Sequence, residues 1–164
     1  ESSAASDVYK RQGSDISYEN WDGNPNGFKF GSKYTTSAST RTVKNCIAFN
    51  NGQKGFDENN SKATIDMENT IAFDNGFKGK KGQSGNSNYR MELMNIQQFE
   101  NCFGFNGAID DFLPEGKTVI TPDASTQDAV RNATTALSDS LQQSIRENKI
   151  PGIVWFNDIF ALTK

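Results

Sequence analysis

The chain has no histidine. That single absence removes Ser-His-Asp and Cys-His nucleophile systems, histidine general bases and nearly all catalytic zinc sites. Cysteine is scarce as well: Cys46 and Cys102 cannot by themselves build a Cys-rich metal centre. No apolar stretch approaches the roughly 20 residues that cross a bilayer, so no membrane span is expected. Hydrophobic residues make up only 34% of the 164, yet aromatics reach 11% and the net charge is just -3. Disordered chains combine low hydrophobicity with high net charge and few aromatics, so a folded domain with a very polar surface is expected. The near-neutral balance gives no electrostatic reason to expect nucleic acid as a partner. Any chemistry must run on Lys, Arg, Asp, Glu, Tyr or a hard metal held by oxygens.

Residues 2–12 (SSAASDVYKRQ) resemble the in-frame translation of a sequencing adapter, and 1–12 are set aside from the fold reasoning as a scar would be. The authentic chain is then expected to begin near Gly13, inside a gene, with its native N-terminal part and any signal peptide upstream. Two parts remain: 13–122 and a differently patterned tail, 123–164.

What the chain does have is asparagine, 18 residues, and glycine, 14. They recur in register. VKNCIAFNNG (43–52), MENTIAFDNG (67–76) and FENCFGFNG (99–107) are three copies of one pattern. A 12-residue insertion (78–89), rich in Gly, Ser, Lys and Asn, separates the second copy from the third and reads as a loop; its basic run Lys78, Lys80, Lys81 is a solvated loop or a polyanion contact. A repeat in the twenties with this composition points to a solenoid. Apolar residues alternate within each copy, which means strands rather than helices. On strict alternation Val43, Ile47 and Phe49 share an inward face, as do Met67, Ile71 and Phe73, and Phe99, Phe103 and Phe105. Asn45, Asn69 and Asn101 fall on that same face, where a column of stacked amides would satisfy one another at roughly 4.8 Å spacing. Cys46 and Cys102 flank Thr70 in the column, about 9.6 Å apart, too far for a disulfide.

A second strand-like element precedes each copy: NGFKF (26–30) and KGFDE (54–58). With Phe28 and Phe56 inward, Lys29 and Asp57 point to solvent in one column. The expected fold is an all-β solenoid, a right-handed parallel β-helix of short strands joined by Asn/Gly corners. Asp110 and Asp111 read as a corner pair, with a structural cation as the alternative. From Thr126 to Asn148, Val130, Ala133, Leu137, Leu141 and Ile145 form an amphipathic helix, with Ser125 and Asp128 as a capping box and Pro151-Gly152 as its stop. Its apolar stripe is expected to cap the open end of the solenoid, with the run from Ile153 to Phe160 packed as a strand or coil; an interaction surface is the alternative.

The strings GNPNGFKFG, TVKNCIAFNNGQKGFDENN and ENTIAFDNG together resemble the pectate lyases of polysaccharide lyase family 9, β-helix enzymes with GNGFK followed by NCxAFNNGxKGFDxN. The likeness covers Asp22 to Gly76, about a third of the chain, and excludes the helical tail. It implies a secreted or cell-surface bacterial protein that cleaves an acidic polysaccharide, polygalacturonate or a related uronate polymer, by β-elimination, acting as a monomer. In that family Ca²⁺ held by aspartates binds the uronate carboxylate and acidifies the proton on C5; a lysine removes the proton and the glycosidic oxygen leaves from C4. The family's base falls on Lys29. Lys33, Arg41 and Lys54 are candidate cationic neighbours and contacts to substrate carboxylates. A lysine base must be neutral part of the time against a reference pKa of about 10.4, which neighbouring cations favour. The competing reading of Lys29 is a solvated lysine paired with Asp57.

One departure matters. The family's Asp-Asp-Gly-Phe-Asp type calcium segment has no counterpart between Gly13 and Asp22, where Asp15, Glu19 and Asp22 are scattered. The resemblance therefore implies a fragment that carries the base but no metal site of its own, inactive or nearly so as it stands. A non-catalytic β-helix, either a carbohydrate-binding or an adhesin-like surface protein, is the alternative. Tyr18, Trp21 and Tyr34 could stack on sugar rings or be displaced core.

Overall fold

A computed structural model describes residues 26–77, 86–146 and 159–163. Among them the chain forms six strands and one long helix. The strands are β1 (Phe28–Lys29), β2 (Thr40–Phe49), β3 (Phe56–Asp57), β4 (Thr64–Phe73), β5 (Tyr89–Arg90) and β6 (Asn95–Phe105). The helix, α1, runs Ala124–Arg146. Strands of two residues alternate with strands of ten or eleven, and they sort into two parallel sheets ordered β1-β3-β5 and β2-β4-β6. Each long strand thus serves as the connection that parallel neighbours in the short sheet require, and the reverse.

The register follows the sequence repeat. Val43 pairs with Met67, and Phe49 with Phe73, which continues to Phe105. Among the described residues beyond β6, two isolated parallel bridges extend the sheets, Phe112 beside Arg90 and Ile120 beside Phe103. Cys46, Thr70 and Cys102 share one column, and both cysteines are free thiols. Burial pushes the Cys102 thiol up to about 11.

The alternation does not run unbroken through the long strands. Asn45, Asn69 and Asn101 adopt left-handed backbone conformations, with φ of 54, 52 and 50°. Asparagine tolerates that region where most L residues do not. One such residue shifts the phase of every side chain after it. Val43 and Met67 therefore face the same core as Cys46, Ala48 and Ala72, whereas Ile47, Ile71, Phe73, Phe103 and Phe105 belong to a second apolar cluster. The expectation that Val43, Ile47 and Phe49 share a face is corrected here. So is the inward placement of the ladder: Asn45 and Asn101 are exposed and Asn69 half-buried. The amides do stack, Asn101 donating to Asn69 at 3.1 Å and Asn69 to Asn45 at 3.3 Å, but they do so at the surface bend.

The first core is filled by aromatic rings stacked between passes. Phe28 lies over Phe56 with centroids 5.0 Å apart, and Phe56 over Tyr89 at the same spacing. Opposite them the column Ala48, Ala72, Gly104 stays small. A Cβ on Gly104 would sit 3.3 Å from the Tyr89 ring. The Tyr89 hydroxyl donates to the Phe103 carbonyl at 2.9 Å and lies 3.0 Å from the Thr70 hydroxyl, so this buried phenol is satisfied.

The second cluster is covered by α1. Val130 is fully buried among Ile71, Phe73, Phe103 and Phe105, with Ala133 and Leu137 beside it and Ile159 and Phe160 completing the cover. Arg131 fixes the helix by a two-pronged contact with Asp74, at 3.1 and 3.2 Å, and stacks over the Phe105 ring. The described apolar stripe thus packs on the flank created by the asparagine bend, while Leu141 and Ile145 lie outside the residues whose side chains are described. Its N-cap is Asp123, whose carboxylate accepts the Thr126 N–H at 2.8 Å; Ser125 donates to that carboxylate and does not cap. These bonds lower the Asp123 pKa. Ile159 and Phe160 are helical, whereas Ile153 and the stop at Pro151-Gly152 lie outside the described residues.

Candidate functional site

The GFKF and GFDE segments fold as they do because two passes approach closely there. A Cβ on Gly55 would lie 2.6 Å from the Asn88 carbonyl oxygen and 2.8 Å from the Asn75 amide, so only glycine fits. From this turn Phe28 and Phe56 enter the stack, and Lys29, Asp57 and Arg90 follow in register on the other face.

Lys29 is exposed, as its position opposite Phe28 predicts. Asp57 is not. It is 2% exposed, contrary to the expectation that it points to solvent. Its carboxylate accepts from the Asn26 side-chain amide at 3.0 Å and from the Asn59 backbone N–H at 3.0 Å, and it pairs with the Lys54 ammonium at 3.2 Å. Asp57 is therefore held by a cation of its own pass, and among the described residues Lys29 enters no ion pair with it. Lys54, expected as a substrate contact, is the counter-ion of a buried carboxylate and has only 19% of its side chain exposed.

Lys33 and Arg41 remain near the first pass. Lys33 is exposed, its ammonium 5.1 Å from the centre of the Tyr34 ring, and Tyr34 is 79% exposed. Arg41 is half-buried and stands in register with Ile65 and Ile96, at the head of an inward column rather than on the face carrying Lys29. Lys29 and Lys33 are thus both exposed in the first described pass, whereas Arg41 and Lys54 have other surroundings. Tyr18, Trp21, Asp15, Glu19, Asp22, Lys78, Lys80 and Lys81 lie outside the described residues.

Several residues beside this site were not singled out from sequence. Glu58 is buried and accepts the Leu93 N–H at 2.6 Å; burial raises its pKa, and that bond partly offsets the rise. Asn75 is fully buried. Its side-chain oxygen accepts from the backbone and side chain of Asn51, both at 2.9 Å, and its amide donates to the Ala48 carbonyl and to Asn88. The buried asparagine network is therefore the one after the strand, Asn51 and Asn75, not the ladder at Asn45. Its signal was visible in the doubled Asn-Asn-Gly and Asp-Asn-Gly corners. Asp111, of the suspected corner pair, is raised to about 6 by burial although it accepts the Tyr89 N–H at 2.7 Å.

Among the described residues no three or more carboxylates or thiols come together to hold a metal ion. The described residues thus do not fit a calcium site of the kind the resemblance implies. No described helix is long and apolar enough to cross a membrane. Comparison of the chain with family models, with curated proteins and with solved structures gives no match.

Proposed function

We propose that this chain is a portion of a right-handed parallel β-helix of the family 9 pectate lyase type, and that Lys29 is the base of a uronate-polysaccharide lyase in the intact parent. One observation carries the reading: Lys29 stands exposed between the inward rings of Phe28 and Phe30, while the carboxylate beside it in register is committed to Lys54, Asn26 and Asn59. An amine without a bound carboxylate is the state a proton-abstracting lysine needs. Lys33 would meet the substrate's carboxylates, and Tyr34 would offer a ring face to sugar. Any calcium ion that the resemblance implies would have to be held by residues other than those described, since no three carboxylates or thiols come together among them. The parent is expected to be secreted or displayed at a bacterial cell surface.

The test is an assay of the parent on polygalacturonate with calcium, following the near-ultraviolet absorbance of unsaturated uronate. Lys29→Ala is expected to remove that signal while polymer binding persists. Unchanged turnover in Lys29→Ala would overturn the assignment. Polymer retention without product, indifferent to Lys29→Ala, would assign the chain to a non-catalytic carbohydrate-binding or adhesin-like role.

A further inference from the structure

Asparagine followed by glycine is prone to lose its side-chain amide spontaneously, because glycine leaves the next main-chain nitrogen free to approach the side chain. The chain has four such steps, at Asn26, Asn51, Asn75 and Asn106. The fold treats them unequally. Asn26 is buried; its amide donates to Asp57, its side-chain oxygen accepts the Lys54 N–H, and the Gly27 N–H donates to the Lys54 carbonyl. Asn75 is fully buried in its network, and the Gly76 N–H donates to the Asn51 carbonyl. Asn51 is half-buried, donates to Asn75 through both its backbone and its side chain, and precedes a buried Gly52.

Asn106 differs because the third copy is one residue shorter at this corner. FNNG (49–52) and FDNG (73–76) place an outer residue, Asn50 or Asp74, before the asparagine that joins the buried network; FNG (105–107) has the outer residue alone. Asn50, Asp74 and Asn106 share a left-handed backbone, with φ of 55, 54 and 49°. In this copy the Asn-Gly step therefore falls on an exposed residue. Among the described residues the Asn106 side chain makes one hydrogen bond, from its amide to Asp74 Oδ1 at 2.6 Å, and the Gly107 N–H has no acceptor.

We infer that Asn106 is the deamidation site of this chain and that its conversion loosens α1. The Gly107 nitrogen attacks Asn106 Cγ and forms a C–N bond; the Cγ–Nδ2 bond breaks, and ammonia leaves with the proton from Gly107. Water then opens the cyclic imide at either carbonyl, leaving aspartate or isoaspartate, with no change of oxidation state. The product meets a site already rich in acid. Asp74 Oδ1 also accepts from Arg131 Nη2 at 3.2 Å, and Asp128 lies 3.4 Å from the same guanidinium. A carboxylate in place of the Asn106 amide removes a donor and sets a third acid around one cation, where like charges repel. Isoaspartate also adds a main-chain atom beside Phe105, whose ring carries Arg131 and whose carbonyl accepts from Asn88. Both products weaken the contact that fixes the helix. The chemistry is independent of the lyase reading.

Peptide mass spectrometry of the folded chain, aged in warm, mildly alkaline buffer, tests the site. Conversion of Asn106 is expected to exceed that of Asn26, Asn51 and Asn75 by roughly tenfold or more, because those three react only through local unfolding. In urea the four are expected to convert at similar rates. Equal rates in the folded chain, or conversion led by another of the four, overturn the assignment. Hydrogen exchange tests the consequence. The α1 amides of the aged chain, and those of Asn106→Asp, are expected to exchange several-fold faster than in the fresh chain, whereas aged Asn106→Gln keeps its starting protection. Should Asn106→Asp fail to fold, the natural chain sampled during ageing carries the same readout. Exchange in α1 that stays constant while Asn106 converts overturns the coupling to the helix.

Discussion

Asp57 lies in register between Lys29 and Arg90, yet its carboxylate turns to Lys54, three residues earlier in its own pass, at 3.2 Å. A carboxylate this deeply buried must be paired, because the cost of desolvating it is large. Removing its partner is therefore worse than removing both. Lys54→Met is expected to destabilise the fold by about 3 kcal/mol in urea denaturation, and Lys54→Met/Asp57→Asn to recover most of that loss. A double variant no more stable than the single one would show that Lys54 is not the partner that matters.

The close approach at Gly55 makes a second prediction. Gly55→Ala places a methyl group against the Asn88 carbonyl and the Asn75 amide, and neither can retreat without breaking the turn. The expected loss is about 1–3 kcal/mol, an overpacking cost, although alanine would ordinarily favour folding by reducing chain entropy. Thermal or urea unfolding measures it.

The two asparagine systems should behave differently. Asn75→Ala strips partners from Asn51, Ala48 and Asn88 in a buried site and is expected to cost about 2–4 kcal/mol. Asn45→Gly keeps the left-handed bend and loses only an exposed amide contact, with an expected change within about 0.5 kcal/mol. Equal effects in denaturant titrations would mean that the exposed ladder, not the corner, holds the passes together.

Asp111 makes the fold sensitive to pH in a direction opposite to a salt-bridged acid. Its folded pKa of about 6 exceeds the ordinary 3.8 because burial disfavours the charge. Between those values the folded protein holds a proton that the unfolded chain has released, so this group's contribution to stability falls as pH rises and is fully lost above about pH 6. Asp111→Asn keeps an acceptor for the Tyr89 N–H without the charge. The variant is expected to be about 1–3 kcal/mol more stable than the natural chain at pH 7, with the gap closing below about pH 4. A gap that does not change with pH would place the effect elsewhere.

The repeated strings predicted parallel strands, their register and the free cysteines, and the structure has all three. They could do so because register needs only the spacing of like residues, and the three copies keep it. The phase of the side chains was not legible in the same way. Strict alternation assumes extended backbone throughout, and the asparagine that marks each copy is the residue that breaks the assumption. Likewise the apolar stripe of α1 was plain, but its docking surface exists only after the bend turns Ile47, Ile71 and Phe103 away from the first core.

The sequence by itself therefore determined which residues stand beside which along the stack, since a periodic pattern fixes neighbours at any distance in the chain. The tertiary structure decided which side of the sheet each residue serves and which partner each charge takes. Those outcomes depend on a backbone angle at Asn45, Asn69 and Asn101, and on whether Lys54 or Lys29 reaches the carboxylate of Asp57. Composition and spacing are the same in either arrangement; only the folded geometry distinguishes them.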